Sequence, residues 1–96
     1  DRRVWRMLTE RLVKRGAFAE AARAGESALY VDVFSPEIHN LYGTALAALG
    51  RNEDAAYEAE SALLCEPPPK EAAKAHALLA RVRLAQGNGA EARRHR

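Results

Sequence analysis

Apolar residues recur along the chain at helical spacing, and short polar or glycine breaks cut that pattern into helix-length pieces. Val4, Leu8, Leu12 and Val13 make one apolar stripe, with the i, i+4 period of an amphipathic helix. Gly16 then ends the run as a C-terminal cap would. A second stripe from about Ala17 to about Tyr30 turns Phe18, Ala21, Ala22, Ala28 and Leu29 inward. Ser35-Pro36-Glu37 opens the next helix. Serine caps, proline fits the first turn where no amide donor is needed, and glutamate suits the positive helix end. That helix runs to Gly50, Asn52-Glu53-Asp54 opens a fourth, and Pro67-Pro68-Pro69 stops it. A fifth begins near Pro69 or Lys70 and breaks at Gly87. Asn88, with Glu91 three residues on, then caps a sixth, cut short at Arg96. The pattern predicts an all-α chain of six helices, the last truncated.

The pieces repeat. Glu26-Ser27-Ala28-Leu29 returns as Glu60-Ser61-Ala62-Leu63, 34 positions later. Gly16 and Gly50, Leu12 and Leu46, and Ala21-Ala22 and Ala55-Ala56 share that spacing, as Leu8 does with Tyr42. Matches in a single register point to a duplicated helix pair. A third unit follows out of step, Gly87 lying 37 residues after Gly50. The units expected are repeat 1 over about 2–35, repeat 2 over about 36–69 and an incomplete repeat 3 over about 73–96, in one domain that reads as a piece of a larger protein. Composition agrees with helices: 21 of 96 residues are alanine, the best helix former and small enough to let helices approach closely.

These residues resemble the tetratricopeptide repeat. Trp5, Leu8, Leu12, Gly16, Ala21 and Ala28 match its pattern in the first unit. Tyr42-Gly43, Leu46, Gly50, Ala55, Ala59, Ala62 and Pro67 match it in the second, and Leu79-Ala80, Gly87 and Ala92 in the third. The departures are His39 and His76 at the tryptophan place, Gly25 where an aromatic is usual, and the longer second linker. The resemblance implies an α-solenoid of antiparallel helix pairs, about 2.5 repeats wound into a right-handed superhelix, whose first helices line a concave groove that holds a peptide or partner segment.

Carried over residue by residue, the groove positions are Arg3, Arg6, Glu10, Val13 and Lys14, then Glu37, Asn40, Thr44, Ala47 and Ala48, then Lys74, Ala77, Arg81, Leu84 and Ala85. Arg3, Arg6, Glu10, Asn40, Thr44, Lys74 and Arg81 are the candidate binding residues. Basic side chains outnumber acidic ones there, so an acidic or carboxylate-bearing peptide is the expected ligand. Of the family's chaperone-tail clamp only Lys74 stands at its place. Arg6 is a partial substitute, while Glu10, Leu41 and Leu78 fill the other three, which argues against that ligand.

Nothing in the chain suggests catalysis. His39, His76 and His95 come without an HExxH or CxxC string, so no metal or other cofactor is expected, and His39 and His76 read as partly buried packing residues. Cys65 is the single cysteine, which forbids an intrachain disulfide and leaves the compartment open. Gly87-Asn88-Gly89 follows a helix, so it reads as a turn. A net charge of +2 is too small to imply nucleic acid, despite the basic tail Arg93-Arg94-His95-Arg96, and no apolar run reaches bilayer length. The expected partner is a protein or peptide, with no nucleic acid and no membrane. Leu78, Leu79, Val82 and Leu84 suggest self-association through an uncovered C-terminal end face. Pro67–Pro69 and Ala92–Arg96 also resemble the repeat-bearing tails of bacterial metallohydrolases. That resemblance implies the alternative of a non-catalytic enzyme appendage, and the bias to alanine and to arginine over lysine suggests a bacterial source.

Overall fold

The computed structural model describes residues 2–94, which form five α-helices. They are α1 (Arg2–Lys14), α2 (Phe18–Val31), α3 (Pro36–Ala48), α4 (Asn52–Leu64) and α5 (Pro69–Arg94). Successive helices pack antiparallel through short connections.

Local chemistry sets most boundaries. After α1 the Gly16 amide bonds the Val13 carbonyl and the Ala17 amide reaches back to Leu12. After α3 the Gly50 amide bonds Ala47 and Arg51 reaches Leu46. Both are the paired bonds of a Schellman cap, which needs a left-handed residue. Gly16 and Gly50 supply it, at φ +76° and +81°. A Cβ at Gly50 would meet nothing within 4 Å, so Gly50→Ala isolates the backbone cost of that conformation, about 1 kcal/mol. The expected result is a denaturation midpoint lowered by that amount, partly regained in Gly50→Asn. The Ser35 hydroxyl accepts from the Ile38 amide at 3.3 Å, with Pro36 in the first turn. The start of α4 is less regular. Arg51 stands at its N-cap without a side-chain cap bond, and pairs with Asp54 at 2.8 Å instead.

The expected break at Gly87 does not occur: α5 is continuous through Gly87-Asn88-Gly89 to Arg94, and among the described residues there is no separate sixth helix. Gly87 lacks the positive φ of Gly16 and Gly50. A cap of that kind turns the chain back only where the next segment has an apolar face to bury, as α2 and α4 have. Residues 88–94 offer only Ala90 and Ala92 as apolar side chains, so helix continuation, at about 1 kcal/mol per glycine, is the cheaper path.

The odd-numbered helices form one layer, α3 touching α1 on one side and α5 on the other. On its back, α2 packs against α1 and α3, and α4 against α3 and α5. The core between the layers is mostly alanine, with Ala21, Ala45, Ala55, Ala59, Ala62 and Ala75 wholly buried. Ile38, Leu46, Val82 and Thr9 are the largest side chains fully enclosed. Gly43 lets α3 meet both α4 and α5, since a Cβ there would lie 2.7 Å from Leu78 and 3.2 Å from Glu58.

Three sequence expectations change here. On α1, Thr9 is the enclosed residue, its hydroxyl donating to the Trp5 carbonyl at 2.7 Å, while Val4 and Leu8 face solvent. In α5, His76 is exposed and Ala75 is buried. Ala75, Leu79 and Val82 repeat the burial of His39, Gly43 and Leu46, so the packed face of α5 follows that of α3 at a spacing of 36 residues. Of the four residues expected on the end face, Leu78, Leu79 and Val82 are buried and Leu84 is exposed.

Candidate functional site

The front of the odd-helix layer carries a groove of about 360 Å³, lined by α1, α3 and α5. Its floor is α3. Asn40 is 4% exposed, and its amide nitrogen donates to the Glu71 carbonyl at 2.9 Å and to Glu71 Oε1 at 3.2 Å. Those two acceptors fix the amide's orientation, since the carbonyl end would meet them with repulsion. Asn40 Oδ1 is then left buried without a hydrogen-bond partner among the described residues. One turn on, the Thr44 hydroxyl donates to the Asn40 carbonyl at 2.8 Å, so toward the groove it can only accept.

The walls are charged. From α5 come Glu71, Lys74 and Arg81, and from α1 and α3 come Glu10 and Glu37, with Leu41, Ala77 and Leu78 between them. Most of these charges are already paired. Lys74 meets Glu71 at 3.3 Å, Arg6 meets Glu37 at 3.0 Å, and Lys14 meets Glu10 at 3.2 Å. The Lys14 ammonium, by hydrogen bond and charge, holds the Glu10 carboxyl below the usual range. Among the described residues Arg81 is the groove cation with no such partner.

Of the expected binding residues, Glu10, Asn40, Thr44, Lys74 and Arg81 line this one groove. Arg6 reaches its rim through Glu37, and Arg3 stands exposed on α1 outside the lining. Val13, Lys14, Ala47, Ala48, Leu84 and Ala85 are not in the lining either. Glu71 was not among them, although it is 7% exposed and ties α5 to Asn40. The excess of positive charge expected for the groove is offset accordingly. The one sequence signal for Glu71 is its position three residues before Lys74, the spacing of a helical ion pair.

The two histidines expected in equivalent places have different surroundings. His39 is 5% exposed. Its Nδ1 lies 2.7 Å from Glu58 Oε1 and its Nε2 2.6 Å from the Val33 carbonyl. His76 is on the exposed side of α5, and His95 lies outside the described residues, as does Arg96 of the basic tail. Among the described residues no cluster of His, Cys, Asp and Glu is placed to hold a metal ion. No helix among them is long and apolar enough to cross a membrane. Burial, with Asp32 nearby, pushes the Cys65 thiol up from its ordinary value, away from the thiolate a nucleophile requires.

No family model matches the chain, and no solved structure matches it. One curated protein does: a TPR repeat-containing thioredoxin of Arabidopsis thaliana, 34% identical over 84 residues. The match takes in 88% of this chain and 12% of that relative, so the chain spans about an eighth of the relative's length. An all-helical chain with one cysteine and a 34-residue period shares with it the helical repeat.

Proposed function

We propose that this chain, a run of tetratricopeptide-type helix pairs, is a non-catalytic protein-interaction module that holds an extended, carboxylate-bearing segment of a partner in the groove of its odd-numbered helices. In this reading residues 2–35 and 36–69 are two repeats, α5 begins a third, and the pairs continue as a right-handed solenoid. One observation carries the proposal. Among the described residues, the groove's uncompensated groups are one cation, Arg81, and one buried acceptor, Asn40 Oδ1, on the same surface. A peptide main chain brings an N–H for the acceptor, and an acidic side chain or chain end brings a charge for the cation. An interior helical segment does not meet the first need, because its amides are bonded internally. Arg6 and Lys74, tied to Glu37 and Glu71, shape the rim more than they supply free charge.

The test is a displayed peptide library selected against the parent chain and against Arg81→Glu. The parent is expected to enrich peptides with an acidic position. Arg81→Glu, a change at an exposed position with retention of the fold checked by circular dichroism, is expected to weaken those peptides about tenfold, the worth of one charge-assisted hydrogen bond. Replacing the acidic residue by lysine in the peptide should restore binding to the variant. Acid-free peptides from the parent, or equal binding by the variant, would sink the proposal.

A further inference from the structure

The back of the molecule holds a second concavity that the groove reading does not use. α2 and α4 both rest on α3, and their Cα atoms come no closer to each other than 8 Å. The furrow between them encloses about 380 Å³. Leu29, Val33 and Phe34 form one wall, Tyr57, Leu64 and Cys65 the other, and His39 with Glu58 the floor. Its rim is unusually apolar for exposed surface: Phe34 is 81% exposed, Leu64 84% and Tyr57 68%. Single exposed apolar residues are ordinary, but several around one concavity mark an interaction site.

We infer that this furrow is a docking surface for a cationic amphipathic helix of a partner protein. Three features define that occupant. The first is the chemistry of the floor. His39 uses both ring nitrogens on Glu58 and Val33, and the Ser61 hydroxyl donates to Tyr57. The floor therefore presents groups already committed to one another and receives apolar side chains without loss. The second is the walls: α4 and the end of α2 have their amides bonded internally, and in the connection after α2 the Phe34 amide is bonded to Asp32. An extended chain laid there would leave its own amides unpaired, whereas a helix arrives with them satisfied.

The third is charge. Residues 17–35 and 51–66, which contain α2 and α4, carry eight carboxylates and two arginines. The rest of the chain carries thirteen basic residues and five acidic ones. The small net charge thus hides a strong segregation, with Glu26, Glu53, Glu60 and Glu66 all exposed on the α2–α4 side. Of the two arginines, Arg51 is already bound to Asp54. A helix whose apolar stripe is flanked by lysine or arginine matches both the furrow and the acidic segments that wall it, and the field would speed its capture.

The experiment uses two synthetic helical peptides with one leucine stripe in common, their polar faces built of lysine in one and glutamate in the other. Each is titrated into the whole chain and followed by amide chemical shifts. The lysine peptide is expected to bind, to weaken as salt rises, and to shift amides of α2 and α4. The glutamate peptide should not bind. Phe34→Ser with Leu64→Ser, both at exposed positions, should weaken the lysine peptide about tenfold or more. Arg81→Glu, which tests the groove, should leave it unchanged, so the two readings fail separately. Equal binding of both peptides, indifference to Phe34→Ser and Leu64→Ser, or loss of binding in Arg81→Glu would overturn the inference. So would a peptide-free dimer, seen by sedimentation, that Leu64→Ser dissolves, because the furrow would then belong to a second copy of the chain.

Discussion

Gly25→Phe restores the aromatic usual at that place in tetratricopeptide repeats, and it is expected to cost this chain much of its stability. Gly25 is buried in the middle of α2. A Cβ there would stand 2.9 Å from Tyr42 Cβ, 3.0 Å from Cδ1 and 3.2 Å from Cγ. These are the root of the Tyr42 side chain, so no flexible end can swing aside. Tyr42 of α3 occupies the room that an aromatic from α2 would need, and the glycine is the other half of that arrangement. Overpacking of a core site costs about 1–3 kcal/mol and occasionally more. A whole ring added where one carbon already collides belongs at or beyond the top of that range. For about a hundred residues each kcal/mol moves the midpoint by roughly 4–8 °C, so a fall of about 10 °C or more is expected in thermal circular dichroism. The decisive variant is the double one. Tyr42→Ala opens the space, and Gly25→Phe with Tyr42→Ala should be more stable than Gly25→Phe alone, with a favourable coupling of about 1 kcal/mol or more. Additive effects, or a Gly25→Phe protein as stable as the parent, would show that α2 and α3 can move apart.

That exchange of Gly25 for Tyr42 shows where the sequence was readable and where it was not. Signals whose physics is confined to a few neighbouring residues carried through to the structure. Gly16 and Gly50 are left-handed caps, Ser35 caps α3, and prolines separate α4 from α5. Signals that depend on what packs opposite did not carry through in the same way. Gly87 has the composition of a cap, but no apolar segment follows it to fold back, and the helix runs on. His39 and His76 share a place when units are counted from glycine to glycine, yet the packed surface of α5 lies one residue earlier, at Ala75. In α1 the enclosed side chain is Thr9, polar by composition and satisfied by its own helix. The groove lay between these cases. Repeat positions carried over from the first helices brought Asn40, Thr44, Lys74 and Arg81 onto one surface. Glu71 escaped because its partner Asn40 is 31 residues away. The charge segregation between layers was present in the composition of each segment, but a chain-wide sum of +2 cancels it.

The second large effect concerns His39, where a buried titratable group stands at the place of the repeat's tryptophan. Both ring nitrogens face acceptors at short range, a carboxylate and a carbonyl. A neutral imidazole has one N–H and can satisfy one of them; the imidazolium satisfies both. Burial alone pushes the His39 pKa down, but the Glu58 hydrogen bond, the Val33 carbonyl and the Glu58 and Asp32 charges outweigh it, and the net shift is upward. The sign of the pH dependence follows. A raised pKa in the folded chain means the folded state holds the proton more tightly than the unfolded one, so this stabilisation is fully present below the unfolded value of about 6.5. It is lost as pH rises from there through the folded pKa. Urea denaturation across that window is expected to show the midpoint falling with pH in the parent chain, and the His39-dependent part of that fall to vanish in His39→Gln. His39→Ala removes one partner and strands the Glu58 carboxylate, which is only 8% exposed. Its expected cost is about 3–5 kcal/mol, the range for breaking a buried pair. Glu58→Gln should lower the folded pKa and shift the fall to lower pH, because an amide oxygen accepts the same hydrogen bond with less charge behind it. If the parent profile is flat, His39 is neutral when buried. One of its two short contacts then lacks a proton, and the clamp between the α2–α3 connection and α4 rests on a single hydrogen bond.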